Sequence, residues 1–363
     1  VSGVRPDVDV IIIGAGLAGL ALAGRLAQSG QRRMRVELLE QAKAPAPGQR
    51  SWSWFEDGPA RIAFDASWPR WEVGSGFLMA GQAFSHGRYG LVRGSTFTEP
   101  ALSAISASPS VVLRHGVIVS AIHAVQGGAH VETAHGALSA RLVIDTRPGG
   151  AELLGRARRV RTGIRAEVRT GAACFAPDTA VLIHRLRRDG AALAFETILP
   201  LAPDHAAIEA VRIAPSGDEG RPDFDGAVER IVQGLATDIS ARTRSASPFG
   251  LSDRWPRCPA SLRMASSRGA SLALAGASGR DAQRSLLWAR LASEALENGE
   301  SPPGLPAQSL PARLGGKLLF SRLLERPSRL VAMAERAGGD SVVRMAAGSA
   351  TLADALKLIW AGR

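Results

Sequence analysis

The stretch Val8-Asp-Val-Ile-Ile-Ile-Gly-Ala-Gly-Leu-Ala-Gly-Leu-Ala-Leu-Ala-Gly24 decides the fold. A β-branched run, Val10 to Ile13, breaks at Gly14, and a small-residue segment of helical character follows. Gly14, Gly16 and Gly19 stand in the G-x-G-x-x-G spacing, with Leu17 and Ala18 between them. The first glycine permits the tight turn, the second lets a pyrophosphate approach the backbone, and the third lets helix and strand pack closely. The phosphates then rest on the helix N-terminus. A second strand, Met34 to Leu39, ends in Glu40, twenty-one residues after Gly19, where a carboxylate takes the ribose hydroxyls. Strand, glycines, helix, strand and terminal acid together predict a dinucleotide site. A glycine-rich turn in an ordinary βαβ unit leaves Glu40 unexplained.

The 363 residues suffice for two domains or one large composite one, and 45% hydrophobic residues supply a sizeable core. Cys174 and Cys258 offer neither a disulfide framework nor metal-ligand spacing, so no metal is expected and the plain reading is a reducing, cytoplasmic compartment. No secretory leader is visible, and no run reaches the roughly 18 apolar residues of a membrane span. The net charge is +11 with only 5% aromatic residues, so a basic-aromatic platform for nucleic acid is not expected. Attraction to an anionic membrane surface and a merely solvated basic surface both fit that charge.

Downstream, Ser51-Trp-Ser-Trp-Phe55 is an aromatic cluster in an aromatic-poor chain. Trp52 and Trp54 fit core and pocket wall equally well. Residues 70–93 read as short strands, 96–108 as a helix with Pro100 in its first turns, and 111–113, 117–121 and 129–132 as strands. The strand 140–147 stops at Asp145 before Pro148-Gly-Gly150, an ending similar to the one that closes the cofactor domain in two-dinucleotide-binding flavoproteins. Between about 155 and 250 the strands lengthen. Ala180 to Arg188 and Ala191 to Leu199 flank Asp189-Gly190, a hairpin signal, and a third strand runs from Ala206 to Ala214. This predicts an antiparallel sheet roofing a substrate pocket.

On that third strand Ala207, Glu209, Val211 and Ile213 share one face. Glu209 is its one carboxylate; burial would raise its pKa and keep it protonated, which suits a general acid. An edge-strand glutamate turned to water fits the same pattern. Glu196 sits similarly between Ala194 and Ile198, and the pattern does not separate the two. A helix is expected over 227–237. A final strand over 271–274, then Gly276 and Asp281, precedes a helix from about Ser285 to Asn298; the arrangement resembles the one with which flavoproteins of this architecture contact the flavin end of the cofactor. Residues 305–363 read as a basic amphipathic helical tail, with Leu318, Leu319, Leu323 and Leu324 and then Leu352 to Trp360 as its apolar positions; each helix taken singly fits core packing, and the two in succession fit attachment to a bilayer surface.

These residues resemble the bacterial lycopene β-cyclase family of flavoproteins over nearly the whole chain. Gly14-Ala-Gly-Leu-Ala18 and the strand ending at Glu40 match its start. Gly48-Gln-Arg-Ser-Trp-Ser53 resembles its Gly-x-His-Thr-Trp-Ser, and Val143-Ile-Asp-Thr-Arg147 its Val-Ile-Asp-Gly-Arg. Leu199-Pro-Leu-Ala-Pro203 through Ile208-Glu209 resembles its Leu-Pro-Phe/Leu-Ser-Pro…Ile-Glu-Asp-Thr, and Ala347 to Asp354 its Ala-Gly-Lys-Leu-Thr-Leu-x-Asp.

The resemblance implies an α/β FAD-binding domain of the two-dinucleotide-binding type, an antiparallel substrate domain and a helical C-terminal region. Its expected boundaries are 1–58, 94–155 and 255–300 for FAD, 59–93 and 156–254 for substrate, and 301–363 for the helices. It further implies a redox-neutral cyclisation of an isoprenoid on reduced FAD, FADH2, with NAD(P)H as reductant, at the cytoplasmic membrane surface. An acid protonates the terminal double bond, the next double bond captures the cation, and a proton leaves. The family's glutamate falls on Glu209, with His184 and Glu196 as the other candidates.

The chain also departs from the pattern. The aspartate after that glutamate is Ala210, and Met-Asp on the hairpin becomes Ile183-His184. The glycine of Asp-Gly-Arg is Thr146, and of His-Pro-x-Thr-Gly-Tyr-Ser only Ser285 clearly survives. A redox hydroxylase or dehydrogenase and a catalytically altered paralogue therefore stay open as alternatives.

Overall fold

The chain's architecture comes from a computed structural model describing residues 6–29, 34–44, 51–56, 63–84, 87–147, 159–218, 220–235, 237–249, 262–264, 277–304, 310–338, 341 and 351–361. The β-branched run forms β1 (Val8–Ile13) and the small-residue segment α1 (Leu17–Gln28), followed by β2 (Val36–Glu40). Ile11 and Ile12 are fully buried, and each such side chain contributes about 1.5–3 kcal/mol. Next come β3 (Ser51–Glu56), β4 (Ala66–Trp68), β5 (Arg70–Ser75), β6 (Leu78–Ala83), β7 (Arg88–Arg93) and α2 (Gly94–Ala107). β8 (Val111–His115), β9 (Val119–Val125), β10 (Gly128–Thr133) and β11 (Gly136–Asp145) complete the first half.

The first sheet has the order β8-β2-β1-β11-β10-β9. Its β8, β2, β1 and β11 are parallel, whereas β9 and β10 join β11 as an antiparallel meander. A short strand, β18 (Leu262–Met264), also pairs parallel with β11, at a place where no strand was expected. The strand expected over 271–274, and Gly276 after it, lie outside the described residues.

The second sheet is built mainly from β12 (Arg159–Thr170), β13 (Thr179–Asp189), β14 (Ala192–Ala202) and β15 (His205–Pro215). Gly190 turns the β13–β14 hairpin with φ +60°, as its Asp-Gly pair predicts. β16 (Thr237–Ile239), β17 (Thr243–Phe249), β5 and β6 extend the sheet. The helix expected over 227–237 is α3 (Phe224–Val232) instead. Asp223 caps its start by accepting from Gly226 N, and Gln233 ends it in the left-handed region, φ 52°. β3, β7 and β4 form a small third sheet between the other two.

Four helices close the chain: α4 (Ala277–Glu297), α5 (Leu310–Glu325), α6 (Arg329–Ala337) and α7 (Leu352–Ala361). Phe320 and Leu323 of α5, Met333 of α6 and Leu358 of α7 enter the core of the second sheet. Thr351 and Asp354 start α7 with a reciprocal capping box: Thr351 N donates to Asp354 Oδ2 (2.9 Å) and Asp354 N to Thr351 Oγ1 (3.2 Å).

Candidate active site

The glycine fingerprint has the shape a pyrophosphate requires. Gly14 adopts φ +95°, open to glycine but not to most side chains. A Cβ on Gly19 would come within 2.0 Å of the Gly14 carbonyl oxygen, so helix and strand meet only because that side chain is missing. A Cβ on Gly16 would meet nothing within 4 Å, so this glycine faces open space at the start of α1. Glu40 stands at the same mouth. Its Oε2 accepts from Ala15 N (2.7 Å) and its Oε1 from Ala42 N (2.9 Å), which fixes the carboxylate beside the loop. Open space, backbone N–H groups and an anchored acid fit a dinucleotide.

Asp145 ends β11 beside Ile13, but its carboxylate is engaged. Arg147 Nη2 donates to Asp145 Oδ2 (2.7 Å) and Arg147 Nε to Oδ1 (3.0 Å). Thr146, where the resembled family has glycine, sets its hydroxyl 2.8 Å from the carbonyl oxygens of both Ile13 and Gly14 and braces the loop. Asp281 falls in the first turns of α4, outside the residues whose side chains are described.

β3 connects this loop to the second sheet, because its alternate side chains point in opposite directions. Trp54 is core: it packs with Val92 and Ala282, and Trp52, half-buried, joins that cluster together with Leu17 of the fingerprint. Ser51 and Ser53 point the other way, toward β12. Arg165 Nη1 donates to the Ser51 carbonyl and hydroxyl oxygens (both 3.1 Å), and Arg165 Nη2 lies 3.4 Å from Ser53 Oγ. Ser53 Oγ is in turn 3.1 Å from Tyr89 Oη, which burial keeps in its neutral form.

Glu209 lies at the centre of this polar group, 4% exposed. Arg161 Nη2 donates to Glu209 Oε1 (3.1 Å) and Arg165 Nη2 to Oε2 (2.9 Å). Gly163 lies between the two arginines on β12, and a Cβ there would come within 2.4 Å of Glu209 Oε1. The protonated carboxyl expected from burial is not what the structure holds. Burial does push the Glu209 carboxyl up, but the two guanidiniums outweigh it and hold the group below its ordinary value, so the free protein carries a carboxylate.

Glu196 and His184 do not join this group. Thr197 is the residue paired with Glu209, so Glu196, paired with Ala210, projects from the other face of the sheet. There it receives Arg187 Nη1 (2.8 Å) and Arg230 Nη2 of α3 (3.4 Å). His184, directly opposite Glu196, is half-buried, and desolvation pushes its imidazole below the ordinary value. The three candidate catalytic residues thus divide between two faces.

Arg161 and Arg165 are the partners that the sequence reading missed. Arg159, Arg161, Gly163, Arg165, Glu167 and Arg169 alternate along β12 with Val160, Ile164, Ala166 and Val168. That period-two charged stripe, against an apolar one, was the signal.

A glycine cradle, an acid-terminated second strand and an antiparallel sheet joined through β3 define a dinucleotide-binding α/β protein. The chain belongs to the lycopene cyclase protein family, whose profile matches residues 9–225. No curated protein matches it significantly. Among solved structures it is similar to the flavin-dependent brominase Bmp2, at 14% identity over 94% of this chain and 93% of that one, with TM-score 0.58. It is also similar to PqsL, a probable FAD-dependent monooxygenase from Pseudomonas aeruginosa, at 15% identity over 88% and 98%, with TM-score 0.54. The halogenase PltM in complex with phloroglucinol and FAD matches at 12% identity over 91% and 79%, with TM-score 0.57. At these identities the likeness defines a common fold.

Proposed function

We propose that the protein binds FAD and closes a ring at the end of an acyclic isoprenoid without net oxidation or reduction. Family membership supports this reading, and one observation carries it. The buried Glu209 lies on the sheet face turned toward β3, whose opposite side packs against Leu17 of the glycine fingerprint. Gly14, Gly16, Leu17, Ala18 and Gly19 would hold the pyrophosphate of FAD and Glu40 its ribose, while Asp145, Gly276 and Asp281 are the further proposed contacts. FAD held there in its reduced form, with NAD(P)H as reductant, would supply electron density near a developing cation, an electrostatic contribution. Trp52, half-buried on β3 where that strand packs against Leu17 of the fingerprint, would form the pocket wall. Glu209 is the proposed acid, and it must first gain a proton that the two guanidiniums keep from it in the free protein.

That charged state favours a second reading, a hydroxylase or dehydrogenase cycle that needs no acid at Glu209. The two readings differ in what is consumed. Cyclisation leaves the substrate mass unchanged, whereas hydroxylation consumes NAD(P)H and oxygen in proportion to product. The cofactor site has its own test. Gly16→Val should remove bound FAD while leaving the urea midpoint of the apoprotein unchanged, because the new side chain enters open space. A yellow, flavin-loaded variant would contradict the site.

We place the enzyme at the cytoplasmic face of a membrane. No helix among the described residues is long and apolar enough to cross one. However, Leu352, Leu356 and Trp360, four residues apart on α7, are exposed along one stripe. Such a stripe suits burial at a lipid surface. Flotation with anionic vesicles, lost on Trp360→Glu, would support this placement, and flotation unchanged by it would not.

A further inference from the structure

The group around Glu209 is unbalanced. Among the described residues it holds two guanidiniums and one carboxylate, and Tyr89 stays neutral. The next carboxylate along the same face of β12, Glu167, is engaged by Arg93 at 3.2 Å. Arg161 is 1% exposed, yet its Nε has no hydrogen-bond partner among the described residues. An isolated buried donor and an excess positive charge are each costly unless something completes them. One planar monoanion would do both, taking the Nε donor and neutralising the charge in the fork geometry that arginine offers. A diphosphate would overshoot the single unit of charge, and a hydrocarbon would leave it uncompensated.

We propose that Arg161 and Arg165 form the receptor for a carboxylate on the isoprenoid substrate, next to the end that reacts. The inference rests on the cyclase reading and narrows its substrate class from acyclic isoprenoids in general to acyclic isoprenoid acids. The bound carboxylate would share the guanidiniums with Glu209 and weaken their hold on it, which eases the protonation that the acid role requires.

Geranic acid, geraniol and geranyl diphosphate are matched probes, sharing one acyclic chain and differing in the head group. Binding to the protein as purified is read by calorimetry and tryptophan fluorescence. Geranic acid should bind at least tenfold more tightly than either of the others. Arg161→Met should abolish the preference, Arg161→Lys should retain part of it, and Arg187→Met, on the opposite face, should leave it intact. Equal binding of acid and alcohol, binding of neither, tighter binding of the diphosphate, or a preference that survives Arg161→Met would overturn the proposal. Flavin content is read in the same samples. A colourless protein that still prefers the acid would sink the cyclase reading and spare the receptor, and a yellow one without the preference would do the reverse.

Discussion

Glu209 and Glu196 sit on neighbouring strands of one sheet, both almost fully buried and both met by two arginines. Their partners differ in access to water. Arg187 and Arg230 at Glu196 are 40% and 36% exposed, so their charges are largely solvated whatever Glu196 does. Arg161 and Arg165 at Glu209 are 1% and 10% exposed, and their charges have nowhere to go. One face therefore holds a surface ion pair with a buried foot. The other holds a buried charge group pressed against the strand that leads to the glycine loop.

The largest expected consequence concerns stability. Glu209→Gln leaves two buried guanidiniums uncompensated and should cost about 3–5 kcal/mol, the range for breaking a buried pair. Adding Arg161→Met restores the original net charge and should recover most of that loss. Glu196→Gln, with partners that reach water, should cost only about 1 kcal/mol. Urea midpoints of the four proteins check this, and equal losses at the two glutamates would erase the distinction between the faces.

Acid titration sharpens the comparison. His184 has its folded pKa below the unfolded value, so the unfolded chain binds the extra proton. Stability from the His184 face is therefore complete above about pH 6.5 and falls as the pH drops below it. Glu209 has its folded pKa depressed below that of an ordinary glutamate. Its contribution is present above about pH 4.3 and is lost below that. His184→Gln should remove the upper limb of the stability profile and keep the lower one. A single limb unaffected by that substitution would count against the assignment. The smallest effect is expected at Ser53→Ala, which removes the hydroxyl shared by Tyr89 and Arg165 and should cost about 1 kcal/mol. Thermal midpoints would show it, and no change at all would mean that β3 and the charge group are not coupled.

Much of this was legible in the sequence, for physical reasons that can be named. Gly14, Gly16, Gly19 and Glu40 are set by local sterics and spacing, and they appear where the motif puts them. The hairpin at Asp189-Gly190 is likewise a local turn choice. The division between Glu209 and Glu196 was not legible as function, although strand parity assigns opposite faces once the pairing of Thr197 with Glu209 is known. The ionisation of Glu209 was misread because alternation along β15 shows only its own strand. The groups that decide its charge lie on β12, forty-eight and forty-four residues away in the chain. Burial was anticipated, but the charges facing it across the strand pair were not.

The central claim is that an acid on the Glu209 face closes a ring without net redox change. The direct measurement is product analysis in heavy water, with flavin-loaded protein, geranic acid or lycopene as substrate, and NAD(P)H consumption metered. The account predicts a ring-closed isomer carrying one deuterium for each ring formed, no stoichiometric NAD(P)H loss, the same product from Glu196→Gln and none from Glu209→Gln. An oxygenated product formed in step with NAD(P)H, or the deuterated isomer from Glu209→Gln, would contradict it.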